Sequence, residues 1–132
     1  GDVFRRDPET GAFQFVGRVD DMFNCGGENI YPGEVEATLM THPEVEMACV
    51  VPVPDDIKGM KPVAFVVLMP GAHLGEEELK KYALARAPAY QHPRRVFFLD
   101  RLPLMGPGKI DRKGLGATAL ELWAKAPDSA AE

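Results

Sequence analysis

The sequence predicts an α+β fold: an N-terminal β-hairpin and a hinge-like link, followed by a small, roughly three-stranded mixed sheet covered by helices. Three observations carry this. Val-rich runs at residues 45–54 and 62–69 read as strands buried on both faces. Three other stretches repeat their apolar residues at helical spacing. The 13 Gly and 12 Pro are spread as punctuation between apolar runs and not gathered into a tract, which implies short elements and tight turns.

In chain order, residues 3–6 and 13–17 flank Asp7-Pro8-Glu9-Thr10-Gly11 and read as a hairpin, with Pro and Gly supplying the turn. The charged link Arg18-Val19-Asp20-Asp21 follows. Residues 22–24 form a possible short strand, and residues 25–29 read as a Gly-rich loop. A helix is expected from Tyr31-Pro32, because Pro suits the first helical position, where its missing N–H has no partner. Glu34 and Glu36 favour the positive N-terminal end, Val35 and Leu39 share a face, and His42-Pro43 ends the helix. After the two Val-rich strands, residues 76–87 give the clearest helix. Its expected supports are the Glu76–Lys80 and Glu77–Lys81 pairs, and its apolar face is Leu79, Tyr82 and Ala83. Residues 96–99 read as a short buried strand. Helical spacing returns at residues 111–123 through Leu115, Ala119 and Leu122, but Gly114 and Gly116 each cost about 1 kcal/mol there and make this helix marginal. The boundaries are a hairpin over 1–18, a body over 19–124 and a disordered tail over 125–132.

Composition excludes more than it identifies. The 132 residues amount to one domain, and 45% hydrophobic with 27% charged is ordinary for a globular protein. No apolar run of about 18 residues is present, so no membrane span is expected. A net charge of -5 argues against nucleic acid as a partner. Cys25 and Cys49 lack zinc-site spacing and make no disulfide framework, which leaves a reduced, cytoplasmic protein as the default. His42, His73 and His92 are scattered, so no metal site is expected. The chain does not begin with Met and opens directly on a strand-like run, from which a piece of something longer is expected.

Three segments are candidates for chemistry. The run Gly17-Arg18-Val19-Asp20-Asp21 through Gly26-Gly27-Glu28-Asn29-Ile30-Tyr31-Pro32-Gly33-Glu34-Val35-Glu36 also reads, on physics alone, as a strand exit, a turn needing positive φ and a capped helix. In Leu102-Pro103-Leu104-Met105-Gly106-Pro107-Gly108-Lys109-Ile110-Asp111-Arg112, a lysine ends a Gly/Pro loop before a helix and can reach an anion as a point charge. An exposed lysine on a loop is the commoner case. The segment is not a Walker loop, since Ile110 follows Lys109. In Pro88-Ala89-Tyr90-Gln91-His92-Pro93-Arg94-Arg95, an aromatic, a His and two Arg could bind a phosphorylated nucleotide, or simply line a surface loop. Cys25 has no base near it in sequence, and Cys49 is expected in the core.

The first two segments, in this order and spacing, resemble the C-terminal domain of the adenylate-forming superfamily: acyl- and aryl-CoA synthetases, peptide-synthetase adenylation domains and beetle luciferases. The resemblance spans residues 1–115. It implies a two-step, AMP-forming acid–CoA ligase in which ATP and a small carboxylic acid give an acyl-adenylate, whose AMP the thiol of coenzyme A displaces. A larger N-terminal domain of the same polypeptide would hold ATP, with Mg, and the acid. This chain has no Ser/Thr/Gly-rich phosphate loop, so it would be the mobile lid, binding no cofactor and inactive by itself. The resemblance assigns Lys109 as the adenylation lysine and Asp20 as the hinge. It sets Arg18 and Asp2 beside the nucleotide ribose and Gly27 along the pantetheine path. Tyr90, His92 and Arg94 fall where aryl-CoA ligases contact the CoA nucleotide, with Gln91 in place of a common lysine and Asn24 where luciferase-like members carry one. The Pro103…Gly108-Lys109 spacing also resembles a site that lysine acetyltransferases modify, which implies such an enzyme as a partner. Two alternatives stay open. One is the lid of a peptide-synthetase domain that transfers to a carrier protein, against which the Gly-Gly-Glu-Asn-Ile-Tyr-Pro run speaks. The other is a non-catalytic binding module of the same fold. The acid itself is not legible in these residues.

Overall fold

The computed structural model describes residues 2–6, 13–18, 21–55 and 59–125, with residues 2–6, 13–18 and 55 as backbone. The expected turn at 7–11, the residue expected as the hinge, Asp20, and the expected tail beyond Lys125 lie outside these.

Strands β1 (Asp2–Arg6) and β2 (Phe13–Arg18) pair antiparallel as the expected hairpin. Next come β3 (Phe23–Cys25), β4 (Glu28–Ile30) and helix α1 (Pro32–Met40). The long strands β5 (Val45–Asp55) and β6 (Gly59–Leu68) follow. Helix α2 (Glu76–Arg86), a 3₁₀ turn (Ala89–Gln91) and β7 (Arg95–Phe98) lead to the ribbon of β8 (Leu104–Gly106) and β9 (Lys109–Ile110), and helix α3 (Arg112–Lys125) ends the described chain.

The sheet has five strands, not about three. β5 and β6 pair antiparallel along their whole length, β7 joins β6 in parallel, and β3 bridges β6 at Cys25–Gly59 and carries β4 outside it. The expected loop at residues 25–29 is thus a tight hairpin, turned by Gly26 and Gly27 at φ 59° and 90°. Positions 52 and 62 face each other across β5 and β6 as two prolines. The Pro62 carbonyl accepts from the Arg94 N–H at 2.8 Å, so residue 62 turns its polar backbone edge away from β5 and no ladder bond is lost there.

Alternation along β5 and β6 splits the core in two. Ala48, Val50, Ala64 and Val66 point to one face, where Val35 and Leu39 of α1 and Leu79 and Ala83 of α2 cover them. Cys49, Val51, Val53, Val63, Phe65 and Val67 point to the other, under Leu115 and Ala119 of α3. Both Val-rich strands are therefore covered on both sides, as expected. Within β7 only Val96 is buried and Phe98 is exposed, so that strand is an edge and not a buried strand. No helix among the described residues is long and apolar enough to cross a membrane.

Two expectations about α2 and α3 are corrected. Glu76 does not support α2 through Lys80; it accepts from Arg95 Nε and the Val96 N–H, both at 2.8 Å, and ties the helix to β7. Lys80 instead meets Glu77 one turn back, at 3.3 Å. Helix α3 is the longest of the three, and Gly114 has a place in it. Asp111 caps the helix by accepting the Gly114 N–H at 3.0 Å, and a Cβ on Gly114 would fall 2.4 Å from that carboxylate.

Candidate functional site

Lys109 opens β9. Leu104 and Gly106 pair with Ile110 and Lys109, and the connection turns at Pro107-Gly108 with Gly108 at φ 70°. The segment expected as a Gly/Pro loop is therefore a two-stranded ribbon. Its lysine is exposed, as are Leu104 and Met105 beside it, while Ile110 and Leu102 pack toward the α3 face of the core.

The base of the ribbon is fixed. The Asp111 N–H donates to the Pro103 carbonyl at 2.9 Å, closing the ribbon one residue beyond β9. Arg112 then reaches around the outer edge of β5. Its guanidinium contacts both oxygens of Glu36, at 2.8 and 3.0 Å, and donates to the Val50 carbonyl at 3.2 Å. Glu36 is buried and also accepts the Val50 N–H at 2.8 Å. One Arg–Glu pair thereby joins α1, β5 and the start of α3. Burial acts to lower the Arg112 pKa, but the Glu36 hydrogen bond and charge outweigh it, so Arg112 ends above its ordinary range. Glu36 thus does not serve the N-terminal end of α1 as expected; only Glu34 sits in the first turn.

Sequence reasoning missed this pair, although a signal exists. Glu36 lies four residues after Pro32 and three before Leu39, within the stripe that α1 buries. A carboxylate in an apolar stripe calls for a cation.

A second group of candidates assembles around the β3–β4 hairpin. Gly27 stands at its exposed turn, with no atom within 4 Å of where a Cβ would sit. Its N–H donates to Asn24 Oδ1 at 3.0 Å. The open space and the positive φ fit a narrow ligand chain passing close to the backbone. The 3₁₀ turn packs alongside. Tyr90 lies half-buried against the α1/α2 core, and Gln91 is buried and donates to Glu34, so it does not take the outward course of a lysine. Arg94 points inward too. It donates to the His92 carbonyl, lies 3.1 Å from His92 Nδ1 and 3.7 Å from Cys25 Sγ. The structure therefore brings Gly27, Tyr90, His92 and Arg94 to one region, with Arg94 engaged inside the protein. Lys109 belongs to the ribbon anchored on the other face of the sheet.

The hairpin supplies a third pair. Its register sets Asp2 directly across from Arg18, the two residues expected beside a ribose. Cys49 is buried, as expected, and burial pushes its thiol up to about 12.

The chain matches the model of the AMP-binding enzyme C-terminal domain over residues 34–109. It is 38% identical to 4-coumarate–CoA ligase 3 of Oryza sativa subsp. japonica over 99% of its own length and 23% of that protein. It is 42% identical to triostin synthetase I of Streptomyces triostinicus, over 91% of this chain and 23% of that protein. The crystal structure of apo MatB from Rhodopseudomonas palustris superposes with a TM-score of 0.86 at 30% identity, covering 92% of this chain and 24% of MatB. This chain thus spans under a quarter of the length of these curated relatives. On these grounds the chain belongs to the AMP-binding enzyme C-terminal domains of the adenylate-forming acyl-CoA ligase superfamily.

Proposed function

We propose that this chain is the swinging lid of an ATP-dependent, AMP-forming carboxylic acid–CoA ligase, with Lys109 serving the first half-reaction and the Gly27 hairpin the second. In the first, a carboxylate attacks the α-phosphate of ATP and pyrophosphate leaves; in the second, the thiol of coenzyme A attacks the acyl-adenylate and AMP leaves. The observation that carries the reading is the placement of Lys109: exposed at the end of a ribbon whose base is held by Asp111 and Arg112. A cation offered this way can enter a site on a larger partner domain, meet the charge that builds on the α-phosphate, and withdraw afterwards. Asp2 and Arg18, paired across the N-terminal hairpin, suit hydrogen bonding to a ribose and a neighbouring phosphate. Gly27 leaves room for a pantetheine chain, with Tyr90 and His92 beside it. Asp20, in the link between hairpin and body, is the hinge of the rotation. Acetylation of Lys109 would remove its charge and stop the first step.

A second reading keeps the adenylation step but gives the acyl group to another acceptor, such as a carrier protein. The likeness to the amide bond synthetase McbA from Marinactinospora thermotolerans, with a TM-score of 0.82 at 33% identity over 90% of this chain and 24% of that one, favours an acceptor other than coenzyme A. Product analysis with free coenzyme A separates the two.

The test is Lys109→Ala in the full-length enzyme. Adenylate formation, followed by ATP–pyrophosphate exchange, falls by about 10²–10³, as for loss of one preorganised transition-state donor. Thioester formation from supplied acyl-adenylate stays within about twofold, because Lys109 has by then withdrawn. Equal losses in both steps overturn this role for Lys109.

A further inference from the structure

Lys109 lies three residues before Arg112, and between them the chain makes no turn that could absorb motion. Residue 110 ends β9, the Asp111 N–H is bonded to Pro103, and Asp111 caps α3. Whatever fixes Arg112 therefore fixes the stem on which Lys109 stands. What fixes it is Glu36, a carboxylate from α1 on the opposite side of β5, with both oxygens on the guanidinium and one also on the Val50 N–H. The Val50 carbonyl accepts from the same guanidinium, so four groups close a ring at the outer edge of β5. An Arg fork bound in this way fixes direction as well as distance, which a lysine cannot do.

We infer that Arg112, held by Glu36, is a positioning residue for the adenylation half-reaction, acting solely through Lys109. The inference rests on the proposed role of Lys109. Loosening the guanidinium lets the ribbon base shift against the sheet, and small displacements of a catalytic cation cost rate steeply. The second half-reaction, which uses the Gly27 side of the domain, does not sense the anchor.

The experiment measures both half-reactions in the full-length enzyme for Arg112→Met, Arg112→Lys, Lys109→Ala and the double variant Lys109→Ala/Arg112→Met. Arg112→Met should slow adenylate formation roughly 10- to 100-fold and leave thioester formation from supplied acyl-adenylate within about twofold. Arg112→Lys, which keeps the charge but not the fork, should fall between wild type and Arg112→Met. In the Lys109→Ala background, Arg112→Met should cost less than about twofold more, since the group it positions is already gone. Equal losses in both half-reactions, no loss in adenylation, or a full further loss in the Lys109→Ala background each overturn the inference. If Arg112→Met shows no cooperative unfolding transition, Arg112→Lys decides by the same half-reaction criteria, alone and with Lys109→Ala. The proposed role of Lys109 stands or falls separately: Lys109→Ala with undiminished adenylation rejects that role, whereas selective loss with Lys109→Ala and none with either Arg112 variant rejects only the anchor.

Discussion

Cys49 shows what burial does to one residue. Its side chain is fully enclosed between β5 and α3, and burial raises its thiol from 9.0 to about 12, with Glu36 and Asp21 adding to the shift and Arg112 opposing it. The unfolded chain releases this proton from about pH 9 while the folded chain keeps it. Stability is therefore intact below pH 9 and falls as pH rises from 9 toward 12, by about 1.4 kcal/mol per unit from this group. Cys49→Ala should flatten the decline in urea-unfolding free energy between pH 9 and 11. An unchanged alkaline slope would mean that the thiol ionises in the folded protein. Single residues were legible where hydrophobicity decided their place, as for Cys49, Val35 or Leu79. They were not where a distant partner decided it: Glu36 reads as a helix-dipole residue until Arg112, 76 positions away, is brought to it by the fold. Glu76 likewise reads as an i, i+4 partner until β7 supplies Arg95.

Elements followed the same division. β5 and β6 are long enough for a Val-rich run, and α1 and α2 for a helical period, to declare itself, and their expected bounds agree with the structure to within a few residues. The strands of β3–β4 and β8–β9 have two or three residues each, too few for any period; residues 22–24 read as a short strand close to β3, while β4, β8 and β9 read as loops from the glycines beside them. Those two hairpins carry Gly27 and Lys109, so the candidate residues stood out in the sequence while most of their scaffold did not. Helix α3 shows a glycine misread as a weakness. With Asp111 capping onto its N–H, position 114 has no room for a Cβ. Asp111→Ala should cost about 1 kcal/mol in denaturant unfolding. Gly114→Ala should destabilise the wild type, because it displaces the cap, yet stabilise the Asp111→Ala variant by up to about 1 kcal/mol through helix propensity. The same sign in both backgrounds would show that the cap and the glycine are independent.

At the scale of the whole molecule, the sheet is a partition. α1, α2 and the core under them lie on one side, with the Gly27 hairpin and the 3₁₀ turn at that edge. α3 and the anchored ribbon of Lys109 lie on the other. A rigid body with one set of groups on each side can serve two reactions at one site only by turning, which requires a pivot outside the body. Asp21, the last residue of the link, and Met22 after it line a cleft of about 470 Å³ together with Arg112 and Lys113, so the chain enters the body next to the anchor of the ribbon. Asp20 is the proposed pivot. Proline there fixes φ near −65° and restricts Val19 before it, which holds the domain in one orientation.

The most direct measurement is single-turnover kinetics of both half-reactions in full-length Asp20→Pro, with Asp20→Ala as the variant that keeps rotational freedom. Asp20→Pro should form acyl-adenylate at close to the wild-type rate and lose thioester formation by orders of magnitude, while Asp20→Ala retains both steps. Thioester formation left intact in Asp20→Pro would contradict a lid that turns about residue 20 to present its two sides in sequence.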